Sequence, residues 1–122
     1  MDTYGEDFRY EDGVLYVRLS GEFPNELLQQ KQNLFQPLID ACLSYKCTRA
    51  LIDATDLDVD LGTMGLLQAG KDTVSLTDHK IRTAFLARED MLDRFFEDVA
   101  AVHGAIIRVF TDIEAARDWL RG

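Results

Sequence analysis

Three short apolar runs, "RALIDA" (49–54), "IRTAFLA" (81–87) and "AIIRVF" (105–110), limit most tightly how this chain can fold. None alternates like a strand with one wet face. The first two suit buried strands of a parallel sheet, and the third reads as the last strand. Stretches of helical periodicity separate them. Strand–helix–strand alternation requires crossovers, so the pattern predicts parallel neighbours with helices packed on the sheet.

Ahead of these runs, "EDFRYEDGVLYVRLSGE" (6–22) predicts a β-hairpin. Asp12-Gly13 is a favoured two-residue turn, because both positions tolerate positive φ. Leu15, Val17 and Leu19 then alternate with Val14, Tyr16 and Arg18, and Gly21 closes the strand. In "PNELLQQKQNLFQPLIDACLSYK", Leu27, Leu28, Leu34, Phe35, Leu38, Ile39, Cys42 and Leu43 recur at helical spacing. Pro24 suits a first turn, whereas Pro37 should kink this helix or split it in two. Further helices are expected from about Thr63 to Leu76, over "EDMLDRFFEDVAAVHG" ending at Gly104, and over "TDIEAARDWLRG". Thr111 and Glu114 fit a capping box for the last. "TDHK" (77–80) reads as a turn. The expected order is β-β-α-β-α-β-α-β-α. It describes one α/β domain over residues 1–122, with a five-stranded mixed sheet, an N-terminal antiparallel hairpin and about four helices.

Charge narrows the choice of partners. The formal net charge is −9, with no basic run. Nucleic-acid binding depends on Lys and Arg neutralising phosphates, so nucleic acid is not expected. Docking on an anionic membrane is disfavoured for the same reason. No run of about 18 apolar residues exists to insert into a bilayer. The start, "MDTYGEDFRYEDG", is acidic and lacks the apolar stretch of a secretory signal, so a cytoplasmic location is expected. A protein partner with a basic face fits this charge. Cys42 and Cys47 have neither redox-motif nor zinc spacing, and Cys42 reads as a small buried hydrophobe.

The stretch "DATDLDVDLGTMGLLQAGKD" (53–72) carries five aspartates and invites three functional readings. As a calcium loop it fails. Asp56, Asp58 and Asp60 give D-x-D-x-D, but Leu61 stands where the glycine belongs and Leu67 where the bidentate glutamate belongs. Leu57, Val59 and Leu61 between the acids instead suggest a short extended segment with one apolar face. As a phosphate cradle, "GLLQAGK" (65–71) matches G-x-x-x-x-G-K, yet ten residues separate it from the strand and Asp72 replaces the magnesium-binding hydroxyl. As a switch, Thr63 is a good N-cap for a helix starting at Met64. A phosphate there would meet unpaired amides and the positive end of the helix dipole. No metal site and no cofactor is expected. His79 in a polar turn and His103 beside Gly104 belong to no recognisable triad, so no catalytic residue is assigned.

Three segments, "VLYVRLSGEF", "RALIDATDL" and "IIRVFTDIEAARDWL", framing residues 14–120, resemble the SpoIIAA-like family, related in fold to STAS domains. That resemblance implies a STAS-like sheet with helices on one side and a regulatory or binding role rather than catalysis. In anti-sigma-factor antagonists of this kind, a serine or threonine at the start of the helix after the central strand is phosphorylated and controls docking. Thr63 is the matching position. The usual aspartate-serine-serine-glycine loop is replaced by "DVDLGTMG", whose Asp58 and Asp60 would repel a phosphate. The expectation is a non-enzymatic interaction module docking through about residues 56–67. Asp58, Asp60, Gly62, Thr63, Met64 and Gly65 form its candidate surface. The alternative follows from a resemblance of some members to Sec14-type carriers: a small apolar ligand or lipid held by Met64, Leu67, Phe95 and Phe96. The charge allows a homodimer through an apolar patch without demanding one.

Overall fold

The structure is a computed structural model, and residues 4–23, 35–58, 71–88 and 106–122 are the ones described. Strands β1 (Gly5–Glu11) and β2 (Val14–Glu22) form the hairpin. Helix α1 (Gln36–Tyr45) and strand β3 (Arg49–Asp58) follow. Next come α2 (Val74–Asp78), β4 (Arg82–Leu86), β5 (Ile107–Phe110) and α3 (Ile113–Arg121). The five strands lie in sequential order β1-β2-β3-β4-β5. β1 is antiparallel to β2, and every later neighbour is parallel. Asp12 (φ 53°) and Gly13 (φ 78°) both sit in the left-handed region, as a type I′ hairpin turn requires.

Sequential order has a consequence for the helices. Right-handed crossovers between neighbouring parallel strands place their helices on one face. Leu38, Ile39 and Cys42 of α1 and Leu76 of α2 accordingly share one buried cluster with Leu15, Val17, Ala50, Ile52 and Ile107 of the sheet. Helix α3 follows β5, the terminal strand of the sheet, and connects no two of its strands, so that rule does not bind it. Its Ala116 and Leu120 pack with Leu51, Ala84 and Leu86 on the opposite face. The described helices therefore flank both faces, where the family resemblance implied one. The apolar runs demanded this: Leu51 and Ile52 are adjacent, both buried, and point to opposite sides.

Pro37 occupies the first turn of α1, so a helix begins there, in line with the expectation that Pro37 kinks or splits the 24–46 segment. Other boundaries differ from expectation. Helix α2 runs to Asp78, and the turn contracts to His79 and Lys80, with Lys80 at φ 57°. The N-cap of α3 is Asp112, not Thr111. Its carboxylate accepts from the backbone N–H of Glu114 (3.4 Å) and Ala115 (3.3 Å). An ionised carboxylate at the dipole's positive end outcompetes a hydroxyl one residue earlier. Glu114 pairs with Arg117 instead. The expected fourth helix, over 89–104, lies outside the described residues.

Helix α1 ends in a Schellman motif. Lys46 takes the left-handed conformation (φ 58°), the Cys47 N–H donates to Cys42 O (3.0 Å), and the Lys46 N–H donates to Leu43 O (3.2 Å). This motif brings the side chains of its C3 and C″ residues together, and here those are the two cysteines. Both are buried free thiols. Burial, with a contribution from neighbouring Cys47, pushes the Cys42 thiol up to about 12.

Candidate functional site

Because β2 to β5 are parallel, their C-terminal ends lie together. In open α/β sheets, binding surfaces concentrate at that end. β3 projects furthest. It pairs with β4 only over Arg49–Asp53, yet continues beside β2 to Asp58. The strand expected over 49–54 thus runs four residues further, and the short extended segment expected around Leu57 begins as its continuation, carrying Asp56 and Asp58.

A single inserted residue decides where those carboxylates point. Arg18 is opposite Asp53, but Ser20 is opposite Asp56, so β3 carries one residue more than β2 across this step. Such a bulge exchanges the parity of every side chain beyond it. Before it, Ala50, Ile52 and Ala54 are buried. After it, Leu57 is buried while Asp56 and Asp58 face solvent. Asp53 pins the insertion: its Oδ1 accepts from the Thr55 N–H (3.0 Å) and from Thr55 Oγ1 (2.6 Å). This is the short-range Asx geometry by which an aspartate stabilises an irregular backbone.

Two arginines complete the end. Beyond Asp53, β3 has no β4 partner, and Arg88 supplies donors instead. Its guanidinium reaches the carbonyls of Thr55 (2.5 Å) and Leu57 (3.3 Å), alternate groups on the same strand edge. Arg18 forms an exposed ion pair with Asp56. The hydrogen bond and charge of Asp56, with smaller contributions from Asp53 and Asp7, raise the Arg18 pKa. Glu22 and Asp58 are neighbours on adjacent strands, both exposed, and the Phe23 N–H closes the pairing on Asp58 O (2.9 Å). The described rim therefore presents Glu22, Asp56 and Asp58, with Arg18 and Arg88 held against β3.

Of the sequence-predicted site, Asp58 is thus an exposed strand residue at this rim. Asp60, Gly62, Thr63, Met64, Gly65 and Leu67 lie outside the described residues, as do Phe95, Phe96 and His103. His79 caps α2, its ring Nδ1 2.9 Å from Ser75 O. Periodicity missed Glu22, Arg18 and Arg88. The one available signal was Asp-x-Thr in "DAT", which fits an Asx motif better than a uniform strand. Among the described residues no three metal-binding side chains come together, and no helix is long and apolar enough to cross a membrane.

No family model matches the chain, and no curated protein matches it. Solved structures do. An anti-sigma factor antagonist from Mycobacterium paratuberculosis superposes with a TM-score of 0.63 at 17% identity, covering 98% of this chain and 96% of its own. An uncharacterised protein with a SpoIIAA-like fold from Shewanella loihica PV-4 superposes with a TM-score of 0.58 at 21% identity, covering 98% and 97%. The architecture is a SpoIIAA-like α/β fold along nearly its full length.

Proposed function

We propose that this chain is a non-catalytic regulatory module that docks a protein partner through the acidic end of its sheet. The observation that carries the reading is the bulge in β3, which turns Asp56 and Asp58 outward beside Glu22. These carboxylates stand on two paired strands, with Asp56 already held by Arg18, so little backbone freedom is lost on docking. The partner surface that complements it carries Lys or Arg, and such a patch also speeds encounter. The fold it shares with the mycobacterial anti-sigma factor antagonist supports regulation by binding. The segment to about residue 67 continues the surface in this reading. Phosphorylation of Thr63 would add charge to an already acidic region and release a basic partner.

Affinity capture from lysate of the source cells tests this with wild type, Asp58→Lys and Thr63→Glu baits. The expected result is a partner held by wild type and lost from Asp58→Lys, with weaker capture by Thr63→Glu. A partner retained equally by Asp58→Lys would remove the surface from consideration. One retained equally by Thr63→Glu would remove only the switch.

A further inference from the structure

The outer edge of β1 points to a second copy of this chain as its occupant, and we propose that two molecules pair antiparallel along it to form one continuous sheet. Among the described residues nothing pairs with that edge, and β1 is the sheet's terminal strand. Proteins usually blunt such an edge with proline, a bulge, shortness or charged side chains; β1 does carry charges, Glu6, Asp7, Arg9 and Glu11, but they are of both signs. β1 is seven residues long, contains no proline, and pairs with β2 in unbroken register.

Which backbone groups are free follows from the hairpin. A two-residue turn closes on a hydrogen-bonded pair, here Glu11 and Val14. Pairs alternate from there, so Glu11, Arg9, Asp7 and Gly5 bond inward to β2. The N–H and C=O of Tyr10, Phe8 and Glu6 face outward. Antiparallel pairing of two copies about Phe8, the middle residue, sets Phe8 against Phe8 and Glu6 against Tyr10. Each of these residues then gains a backbone donor and acceptor. In the same register Asp7 faces Arg9 of the other copy, twice.

Charge selects this register over its neighbours. Centring on Arg9 opposes Arg9 with Arg9 and Asp7 with Glu11. Centring on Asp7 opposes two aspartates. Centring on Tyr10 preserves Arg9–Glu11 contacts but runs into the Asp12-Gly13 turn. Only centring on Phe8 engages all of Gly5–Glu11 without opposing like charges. The side chains are available. Phe8 is 41% and Tyr10 40% exposed, and Tyr10 stacks on the exposed Tyr45 of α1 (4.7 Å). This apolar patch becomes continuous across the two-fold axis. Arg9 now pairs with Glu11 (3.3 Å), both exposed, and lies over the half-buried Tyr16 ring, so exchanging Glu11 for an opposing Asp7 costs little.

Sedimentation equilibrium of the full chain tests the proposal. Wild type should be a dimer. Asp7→Arg places arginines opposite Arg9, and Arg9→Asp places aspartates opposite Asp7. Each should weaken self-association roughly tenfold or more. Mixing these two variants should produce a heterodimer, because both cross-pairs then become Arg–Asp. The double variant, Asp7→Arg with Arg9→Asp, should regain the wild-type dimer. Amide exchange at Glu6, Phe8 and Tyr10 of wild type supplies a second measurement independent of any variant. Those amides should exchange more slowly as concentration rises. A monomeric wild type, a dimer indifferent to both single changes, or amides that exchange at one rate regardless of concentration would each overturn the proposal.

Discussion

At the scale of single residues, Asp53 has the largest local effect. It holds the inserted residue of β3 through two bonds to Thr55. Removing it leaves a part-buried amide and hydroxyl without their acceptor, at a cost of about 1–3 kcal/mol. Asp53→Ala should lower the urea midpoint accordingly, and Asp53→Asn, which keeps an acceptor oxygen, should lower it less. Cys42 makes a different prediction. Its folded pKa of about 12 lies above the ordinary value of 9.0. A raised pKa means the native state holds the proton more tightly. Its contribution to stability is therefore whole below about pH 9 and is lost as pH rises toward 12. Stability measured by urea unfolding should fall across that window, and the fall should be smaller in Cys42→Ala, the remainder including Tyr4, whose pKa burial also raises. A thiol reagent at pH 8 should leave native Cys42 unmodified and react once the chain unfolds.

At the scale of elements, local patterning located the strands and helices of the described residues but not all their ends. The hairpin turn was legible because Asp12-Gly13 is both sequence signal and cause. The apolar runs placed β3, β4 and β5; β3 and β4 are largely buried, whereas β5 is an edge strand with Ile107 buried. The last residues of β3 were legible only as a separate short extended segment around Leu57, since one inserted residue breaks the period that would join them to the strand. The cap of α3 was misplaced by one position, because Thr111 and Asp112 are both competent and only the geometry decides between them. Asp112→Ala should cost about 1 kcal/mol of stability, whereas Thr111→Ala should change it by a few tenths at most. Arg82 was also invisible. It donates from Nε (3.1 Å) and Nη2 (2.7 Å) to Trp119 O and stacks 3.9 Å from the Trp119 ring. One side chain thus satisfies a carbonyl of the last helical turn and joins α3 to β4. Lysine has a single ammonium and no planar fork, so Arg82→Lys should destabilise the chain almost as much as Arg82→Ala.

At the scale of the molecule, sequential strand order puts the crossover helices on one face and leaves the other to α3. The ends of β2 and β3 then meet as a single acidic rim. The fold was legible from alternation and resemblance together. The rim was only partly so, because Asp58 carried a sequence signal while Glu22 and Arg88 reach it through topology alone. Partner docking is the role proposed for this rim. Its most direct test is the affinity of the captured partner for wild type and for the Asp56→Lys/Asp58→Lys variant, at low and at moderate salt. Wild type should bind at least about tenfold more tightly, with the advantage shrinking as salt screens the exposed charges. Equal affinities at both salt concentrations would contradict the claim.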